Sequence, residues 1–389
     1  MRHKILYLDK SSEIGGAETS LLLLLKHLDR NKYTTVVALP AEGTLNKQLR
    51  ALGVQVITTP LHTVHLKGLN PLPYLSTVWR LVKIIRREGV DLVHANDTTT
   101  NQYGVVAAKL SGVPIICHLR SLSRKSDVVR GLLPWTDHLI ANSYATARTY
   151  LACKGTPEKV TVIYNGVDLA DYCLDNDARA KLRKHFNVSD ETFLMGIVGR
   201  VTEAKGHHVL IQALAAVRNM HDDVCLAVIG PLNPAFHSDF QRDTRFVTEL
   251  RQLIATLGLD GHVSFWGEQR SMAPIYQALD LLVVSTFEES FGRVLIEAMA
   301  VEKPVIASAV GAIPEIIDDS MNGLLIPPGD VPRLAEAICA VKNDPGMGRR
   351  MGKEGRRRVE KFFSIESNVA QTEALYQRVI HRCGPRSII

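Results

Sequence analysis

The stretch Asp280-Leu-Leu-Val-Val-Ser-Thr-Phe-Glu-Glu-Ser-Phe-Gly-Arg-Val-Leu-Ile-Glu-Ala-Met-Ala300 decides the fold. Leu281 to Val284 is a short apolar run with β-branched residues between polar neighbours, which reads as a strand buried on both faces of a parallel sheet. A polar turn, Thr286 to Ser290, follows, and then a helix-compatible run from Arg293 to Val301 that stops at Lys303-Pro304. The unit is strand, loop and helix.

In such a unit the loop at the carboxyl end of the strand is where open α/β sheets hold ligands, and Glu289 falls there. Gly292 lets backbone come close to a ligand, and the helix start behind it offers free N–H groups to an anion. Glu297 comes about one turn into the helix, on a face that can look back toward the loop. Two carboxylates flanking an anion-friendly helix end suit a sugar nucleotide, although a solvated loop glutamate and an amphipathic helix glutamate would share this spacing. Arg200 and Lys205 pose a similar choice. They follow an expected strand, Phe193 to Val198, are separated by Val-Thr-Glu-Ala, and precede Gly206. The two cations can converge on one diphosphate or lie in solvent.

The flanking residues resolve both choices. Glu289-Ser-Phe-Gly292, Glu297-Ala-Met-Ala300, Pro304-Val-Ile-Ala-Ser308, Gly311 and Asn322-Gly-Leu-Leu-Ile-Pro-Pro-Gly-Asp330 resemble the C-terminal half of family 4 of the retaining glycosyltransferases, which have the GT-B fold. The E-x7-E element is that family's signature, and Gly-Arg-x-x-x-x-Lys-Gly at 199–206 resembles its donor-phosphate motif. The resemblance covers most of the chain and is strongest from Phe193 to Asp330. It implies two Rossmann-like, doubly wound domains facing each other across a cleft that closes on the sugar nucleotide, with a C-terminal helix crossing back to the first domain.

Roles follow from the same resemblance. Glu289 would hold sugar hydroxyls, Arg200 and Lys205 the diphosphate, Ser290, Phe291, Gly292 and Arg293 the phosphate side, and Glu297 the ribose. Gly15 and Gly16, in the loop Ser11 to Glu18, would lie near the donor phosphates; read alone, the pair is either a close-approach loop or a plain tight turn. His118 ends the run Pro114-Ile-Ile-Cys-His118, and family members often have a histidine near this point that contacts the transferred sugar. Its loop neighbours Asp97 and Arg120 are candidates for the acceptor pocket. Two departures stand out. Ser290 replaces a glycine found in many members, and Arg293 stands where an apolar residue is common.

Composition sets the outer bounds. A chain of 389 residues, 46% hydrophobic and 22% charged, reads as a globular protein of two domains. No apolar run approaches the roughly 18 residues of a membrane span. Leu21 to Leu25, bracketed by Glu13, Glu18, Lys26 and Asp29, reads as a buried helix face rather than a leader. Six cysteines without regular spacing point to a reduced, cytoplasmic protein. Asp175-Asn176-Asp177 spells D-x-D but has no strand before it, and reads as a solvated turn; the family needs no metal. The expectation is therefore no cofactor, with a UDP- or GDP-sugar as donor substrate.

Residues 1–130 hold 18 Lys and Arg against 9 Asp and Glu, although the whole chain carries only +6, so the basic half wants an anionic partner. Trp79-Arg-Leu-Val-Lys-Ile-Ile-Arg-Arg87 sets cations beside apolar residues on one helix, and Arg120, Arg124, Lys125 and Arg130 add a basic segment. This is either a face for an anionic membrane surface carrying a lipid-linked acceptor or an ordinary sheet-covering helix with a solvated basic side. A nucleic-acid partner is not expected.

Strands expected at Lys4 to Leu8, Thr35 to Leu39, Val54 to Thr58, Leu92 to His94, Pro114 to Leu119, His138 to Ala141 and Val160 to Ile163 alternate with helices, as in a parallel sheet. Tyr164-Asn-Gly-Val-Asp168 resembles the turn that ends the family's first domain. An acceptor-binding domain of residues 1–172, rejoined by the helix in 366–389, and a donor-binding domain of residues 173–365 follow. Leu174 to Asp190 reads as a polar link.

The expected activity is retaining transfer of a hexose or N-acetylhexosamine from a nucleotide diphosphate sugar to a glycan, lipid-linked or small-molecule acceptor, in cell-envelope polysaccharide or glycolipid synthesis. The rivals are a GT-B protein that binds sugar nucleotides without transfer, and an epimerase. An NAD-dependent oxidoreductase is disfavoured because neither half carries G-x-G-x-x-G after a strand.

Overall fold

The computed structural model describes residues 2–62, 71–232 and 240–382. Its packing divides the chain into two units, one of residues up to Gly166 together with those from Ile365 on, the other of Val167–Ser364. The first division falls before the expected Tyr172. Val167 N donates to Phe363 O at 2.9 Å and Arg356 Nη1 donates to Tyr172 O at 3.0 Å, which ties this segment into the second unit.

The first unit runs β1 (His3–Leu8), α1 (Gly16–His27), β2 (Tyr33–Leu39), α2 (Thr44–Ala51), β3 (Gln55–Thr58), α3 (Leu72–Glu88), β4 (Leu92–Ala95), α4 (Thr98–Ser111), β5 (Ile115–Leu119), α5 (Lys125–Arg130), β6 (His138–Ala141), α6 (Tyr144–Ala152) and β7 (Val160–Val162). Its seven strands are parallel in the order β3-β2-β1-β4-β5-β6-β7. Each is short, apolar and β-branched, as a strand covered on both faces must be. Alternate side chains divide between two cores. Leu6, Leu8, Val93 and Leu119 meet the helices that carry Val78, Leu81 and Tyr103, while Ile5, Tyr7, Leu92 and Ile116 meet Leu21, Leu24 and Leu25 of α1.

The second unit runs α7 (Asn176–His185), β8 (Phe193–Val198), α8 (His207–Arg218), β9 (Val224–Ile229), α9 (Phe240–Thr256), β10 (Val263–Gly267), α10 (Met272–Ala278), β11 (Leu281–Val284), α11 (Arg293–Ala300), β12 (Val305–Ser308), α12 (Ile313–Ile316), β13 (Leu324–Ile326), α13 (Val331–Asn343) and α14 (Pro345–Phe362). Its parallel sheet has the order β10-β9-β8-β11-β12-β13. Both sheets therefore reverse direction after their third strand, which sets the switch points at β1/β4 and at β8/β11. A reversal leaves a crevice at the carboxyl ends of the two central strands, because successive connections depart to opposite sides.

The chain then returns to the first unit as α15 (Ile365–Arg382), whose Ile365, Val369, Leu375, Tyr376 and Val379 join the core of Ile5, Tyr7 and Leu21. Residues 383–389, including Cys383, lie outside the described residues. The five cysteines that are described form no disulfide.

The stretch expected as a polar link is corrected by the structure: residues 176–185 form α7. Asp175, expected in a solvated turn, caps this helix by accepting from Asp177 N at 2.9 Å. The polar composition conceals one buried cation. Arg183 is 1% exposed, and its guanidinium donates to Asp280 Oδ2 at 2.5 Å and to the carbonyls of Ala278, Ser189 and Thr192 at 3.0, 2.8 and 3.0 Å. Asp280 also accepts from Leu194 N at 2.7 Å and Arg179 Nη2 at 2.7 Å, so one carboxylate ties α7 to the starts of β8 and β11. Removing one member of a buried ion pair leaves the other charge uncompensated. Asp280→Ala is expected to destabilise the second unit by about 3 kcal/mol, read as a lower urea midpoint, whereas Arg179→Ala, which removes a half-exposed partner, is expected to cost about 1 kcal/mol or less.

Candidate functional site

In the second unit the β8/β11 reversal brings together two segments about 80 residues apart in sequence. The loop after β8 is laid onto the loop after β11 by backbone contacts. Phe287 N donates to Ala204 O at 2.9 Å, Thr286 Oγ1 to the same carbonyl at 3.0 Å, and Ser285 Oγ to Gly206 O at 2.9 Å. Gly206 has φ +70°, and a Cβ there would stand 1.9 Å from Ser285 O, so only glycine fits. Against this frame Lys205 Nζ meets Glu289 Oε2 at 2.7 Å. Glu289 is also held through its backbone, since Ala312 N donates to its carbonyl at 3.1 Å, and a Cβ on Gly311 (φ +54°) would lie 1.8 Å from that oxygen. Arg200, at the same edge, is exposed and forms no ion pair among the described residues.

Gly292, with φ +99°, turns the chain into α11 and leaves the first N–H groups of this helix at the same edge. One turn on, Glu297 is buried, but not alone. Arg293 Nη2 pairs with its Oε1 at 2.9 Å, and Tyr276 OH of α10 donates to its Oε2 at 2.8 Å. Burial, and after it the Glu297 charge, raises the Tyr276 phenol well above its ordinary pKa, so Tyr276 remains a donor. Tyr172 is raised for the same two reasons. Phe291 is buried with its ring edge-on to Phe363, centroids 6.0 Å apart, and Ser290 is half-buried beside it.

The first unit carries its polar groups in two rows across neighbouring strands. Tyr7, His94 and His118 occupy one face of β1, β4 and β5, with ring centroids 5.0 Å and 5.8 Å apart. Tyr376 of α15 covers them, its hydroxyl 2.6 Å from His94 Nδ1 and 3.0 Å from Tyr7 OH. Two residues further along each strand stand Asp9, Asn96 and Arg120. Asn96 Nδ2 donates to Asp9 Oδ2 at 2.6 Å, Arg120 Nη2 to Asn96 Oδ1 at 2.6 Å, and Arg120 Nη1 to Asn165 Oδ1 at 3.0 Å.

His118 is buried, and neither ring nitrogen has a hydrogen-bond partner among the described residues. Burial first, then the Arg120 charge, holds its pKa well below the usual value, so the ring is neutral and offers one donor and one acceptor. Burial lowers His94 to about 3. Gly15 has an ordinary extended φ of −123° and caps α1, and its N–H donates to Glu18 Oε2 at 2.9 Å, so this helix start is served by its own carboxylate. Gly16 is the first residue of α1. Asp97 caps α4 and pairs with Lys10 at 2.8 Å.

The sequence-derived residues thus fall into two groups. Arg200, Lys205, Ser290, Phe291, Gly292, Arg293, Glu289 and Glu297 gather at one sheet edge of the second unit. Gly15, Gly16 and His118 belong to the carboxyl edge of the first. Sequence reasoning missed Tyr276, Asp9, Asn96 and the His94–Tyr376 contact. A signal for the rows was present, because Tyr-x-Asp, His-x-Asn and His-x-Arg each set polar residues two apart at a strand end. Among the described residues no three His, Cys, Asp or Glu side chains gather as a metal set, and no helix is long and apolar enough to cross a membrane.

The surface of the first unit has one further feature. Leu72, Leu75 and Trp79 are 68%, 44% and 57% exposed along α3, next to exposed Arg80, Lys83, Arg86 and Arg87. The side chain of Arg130, expected in the basic segment, lies outside the described residues.

Comparison with known proteins agrees with this geometry. The model of the glycosyl transferases group 1 family matches residues 178–358, and that of glycosyltransferase family 4 matches residues 14–171. The chain is 28% identical over 330 residues to a D-inositol 3-phosphate glycosyltransferase of Salinispora tropica, covering 76% of this chain and 67% of that one. It is 27% identical over 321 residues to the capsular polysaccharide biosynthesis glycosyltransferase CapM of Staphylococcus aureus, covering 78% and 80%. Among solved structures, Anabaena HepE in complex with UDP-glucose superposes with a TM-score of 0.84 at 28% identity, covering 96% of this chain and 99% of that one.

Asp9 supplies a pH test of the polar row. Burial, and next the charge of Glu18, pushes its carboxyl from an unfolded value near 3.8 up to about 7. Below about pH 4 both states hold the proton and nothing is lost. Between these values the unfolded chain has released its proton and the folded chain has not, so stability falls as pH rises, and the loss is complete above about pH 7. Asp9→Asn keeps an acceptor and removes the titration. Melting curves from pH 4 to 8 are expected to show the variant gaining on the wild type across this window; parallel curves would contradict the assignment.

Proposed function

The chain belongs to family 4 of the glycosyltransferases, and from that premise we propose that it transfers a hexose or N-acetylhexosamine from a UDP-sugar, with a GDP-sugar as the other donor class, to a glycan or lipid-linked acceptor with retention at the anomeric carbon. The observation that carries the reading is the edge of the second unit, where Lys205, Arg200 and the start of α11 face the place where two carboxylates, Glu289 and Glu297, are held. Positive groups of this kind are what a departing nucleoside diphosphate requires. Anabaena HepE, whose complexes contain UDP and UDP-glucose, supports the uridine donor, and CapM supports a setting in envelope polysaccharide synthesis.

In the proposed reaction the bond between the sugar anomeric carbon and the β-phosphate oxygen breaks, and a bond from that carbon to the acceptor oxygen forms on the same face. The acceptor proton passes to the departing phosphate oxygen. Arg200 and Lys205 stabilise the charge that grows on the diphosphate, and the positive end of the α11 dipole adds to it, so the proposed reaction calls for no metal. Glu289 binds sugar hydroxyls through Oε1, which accepts a long bond from Phe291 N at 3.4 Å, and Glu297 binds the ribose. Ser290, Phe291, Gly292 and the Arg293 backbone form the phosphate side of the loop. In the first unit, neutral His118 offers its nitrogens to a hydroxyl of the transferred sugar, and Gly15 and Gly16 are further contacts for the donor phosphates.

The protein works on the cytoplasmic side, with α3 docked peripherally on an anionic membrane. The exposed stripe Leu72, Leu75 and Trp79, flanked by Arg80, Lys83, Arg86 and Arg87, supports this, because it pairs apolar insertion with cation attraction. Flotation with vesicles containing phosphatidylglycerol is expected to carry the wild type at low salt, and Trp79→Glu/Lys83→Glu to stay behind. Equal recovery of both proteins would exclude α3 as the contact.

The donor reading is tested by thermal shift with UDP, GDP, ADP and their sugars. Native-state binding at 100 times Kd stabilises by about 2.7 kcal/mol, so one nucleotide is expected to raise the Tm by several degrees and Arg200→Ala to lose most of that response. Incubating that donor with membrane extract and EDTA is expected to give an α-linked product from an α-donor. A changed free sugar nucleotide would instead mark an epimerase, and donor binding without any product a binding protein.

A further inference from the structure

Glu297 is held in a manner that its expected task does not by itself require. It is 7% exposed, one turn into α11, and each carboxylate oxygen already accepts from a different protein donor: Oε1 from Arg293 Nη2 at 2.9 Å, Oε2 from Tyr276 OH at 2.8 Å. The two donors come from different elements. Arg293 is the first residue of α11 and lies four positions before Glu297, whereas Tyr276 projects from α10 and is 0% exposed. Tyr172 presents a third phenol to the same carboxylate, and its own carbonyl is held by Arg356 Nη1 at 3.0 Å.

Resting on the ribose reading of Glu297, we propose that Tyr276 and Arg293 are positioning residues that aim the Glu297 carboxylate at the vicinal hydroxyls of the nucleotide, and that they make the site selective for a ribonucleotide. A carboxylate has about four lone-pair sites, two on each oxygen. Arg293 uses one site on Oε1 and Tyr276 one on Oε2, and the phenol of Tyr172 faces the same carboxylate, so the sites left for a ligand are few and their direction is fixed. An open acceptor site of fixed direction on an anchored carboxylate is what a ribose hydroxyl can satisfy.

Anchoring both oxygens also stops rotation about the terminal bond of the side chain. A free glutamate would lose that motion when a ligand binds; here it is already lost on folding. The guanidinium further answers the cost of keeping a carboxylate inside the protein. Burial keeps the Tyr276 phenol protonated, so that it always donates and never competes with the ribose as an acceptor.

The test uses the full-length protein and isothermal titration with UDP and 2′-deoxy-UDP. The wild type is expected to bind UDP about tenfold more tightly, the worth of one hydrogen bond to a charged group. Tyr276→Phe fills the same space without the hydroxyl. It is expected to weaken UDP about fivefold or more while leaving 2′-deoxy-UDP unchanged, so that the preference collapses toward one. Arg293→Leu, which removes the guanidinium and keeps an apolar stem, is expected to act in the same direction and provides a second arm should Tyr276→Phe fold poorly. A merely structural role would weaken both nucleotides equally and keep their ratio, and that result overturns the proposal. A wild type that binds both nucleotides equally would instead overturn the ribose reading of Glu297, and the positioning role with it.

Discussion

The second unit depends on one close approach: Gly206 against the carbonyl of Ser285. It can form only because position 206 lacks a Cβ and holds a left-handed backbone, and it lets the loop after β8 lie flat on the loop after β11. The bonds from Phe287 N and Thr286 Oγ1 to Ala204 O then fix the loop after β8 through its main-chain carbonyl. Main-chain fixation leaves the side chains at this edge free to be chosen for chemistry. Lys205 and Glu289 are brought face to face by it, and the same logic recurs where Gly311 admits the Glu289 carbonyl. The rigid part of the site is therefore backbone, and its charges hang from that frame.

Those charges are arranged in compensated sets. Lys205 faces Glu289, Arg293 faces Glu297, and in the first unit Arg120 reaches Asn96, which in turn reaches Asp9. A site left with unpaired cations would pull in whichever anion was nearest and would have to rearrange for its substrate. A paired site is already organised and exchanges partners only where the incoming ligand offers better ones. Arg200 stands apart, exposed and without an ion pair among the described residues, which makes it the cation most available to a diphosphate at the outset.

Much of this was readable from sequence. Buried parallel strands announce themselves as apolar, β-branched runs, so His138–Ala141, Phe193–Val198, Val224–Ile229 and Leu281–Val284 appear where they were expected. What escaped depends on information that no local window holds. Residues 176–185 read as a solvated link because every neighbour of Arg183 in that stretch except Leu182 is polar or small; that one arginine is buried becomes visible only when Asp280, far along the chain, is placed beside it. The rows Tyr7–His94–His118 and Asp9–Asn96–Arg120 require the strand order β1-β4-β5, which brings residues near 8, 95 and 119 together. Tyr276 was invisible for a similar reason: a tyrosine at helical spacing reads as core, and it is core, with its hydroxyl in a second role.

The return of the chain as α15 has a consequence for biosynthesis. The sheet of the first unit is finished by residue 162, yet the polar ends of its Tyr7 and His94 are met by Tyr376. As the ribosome delivers the polypeptide, the second unit is complete by Ser364 while the first still exposes the apolar face around Ile5, Tyr7 and Leu21. The half that is made first is thus the half that matures last. Any interruption of synthesis before residue 365 releases a nascent product with an open hydrophobic face, a substrate for chaperones and proteases rather than a partly working enzyme.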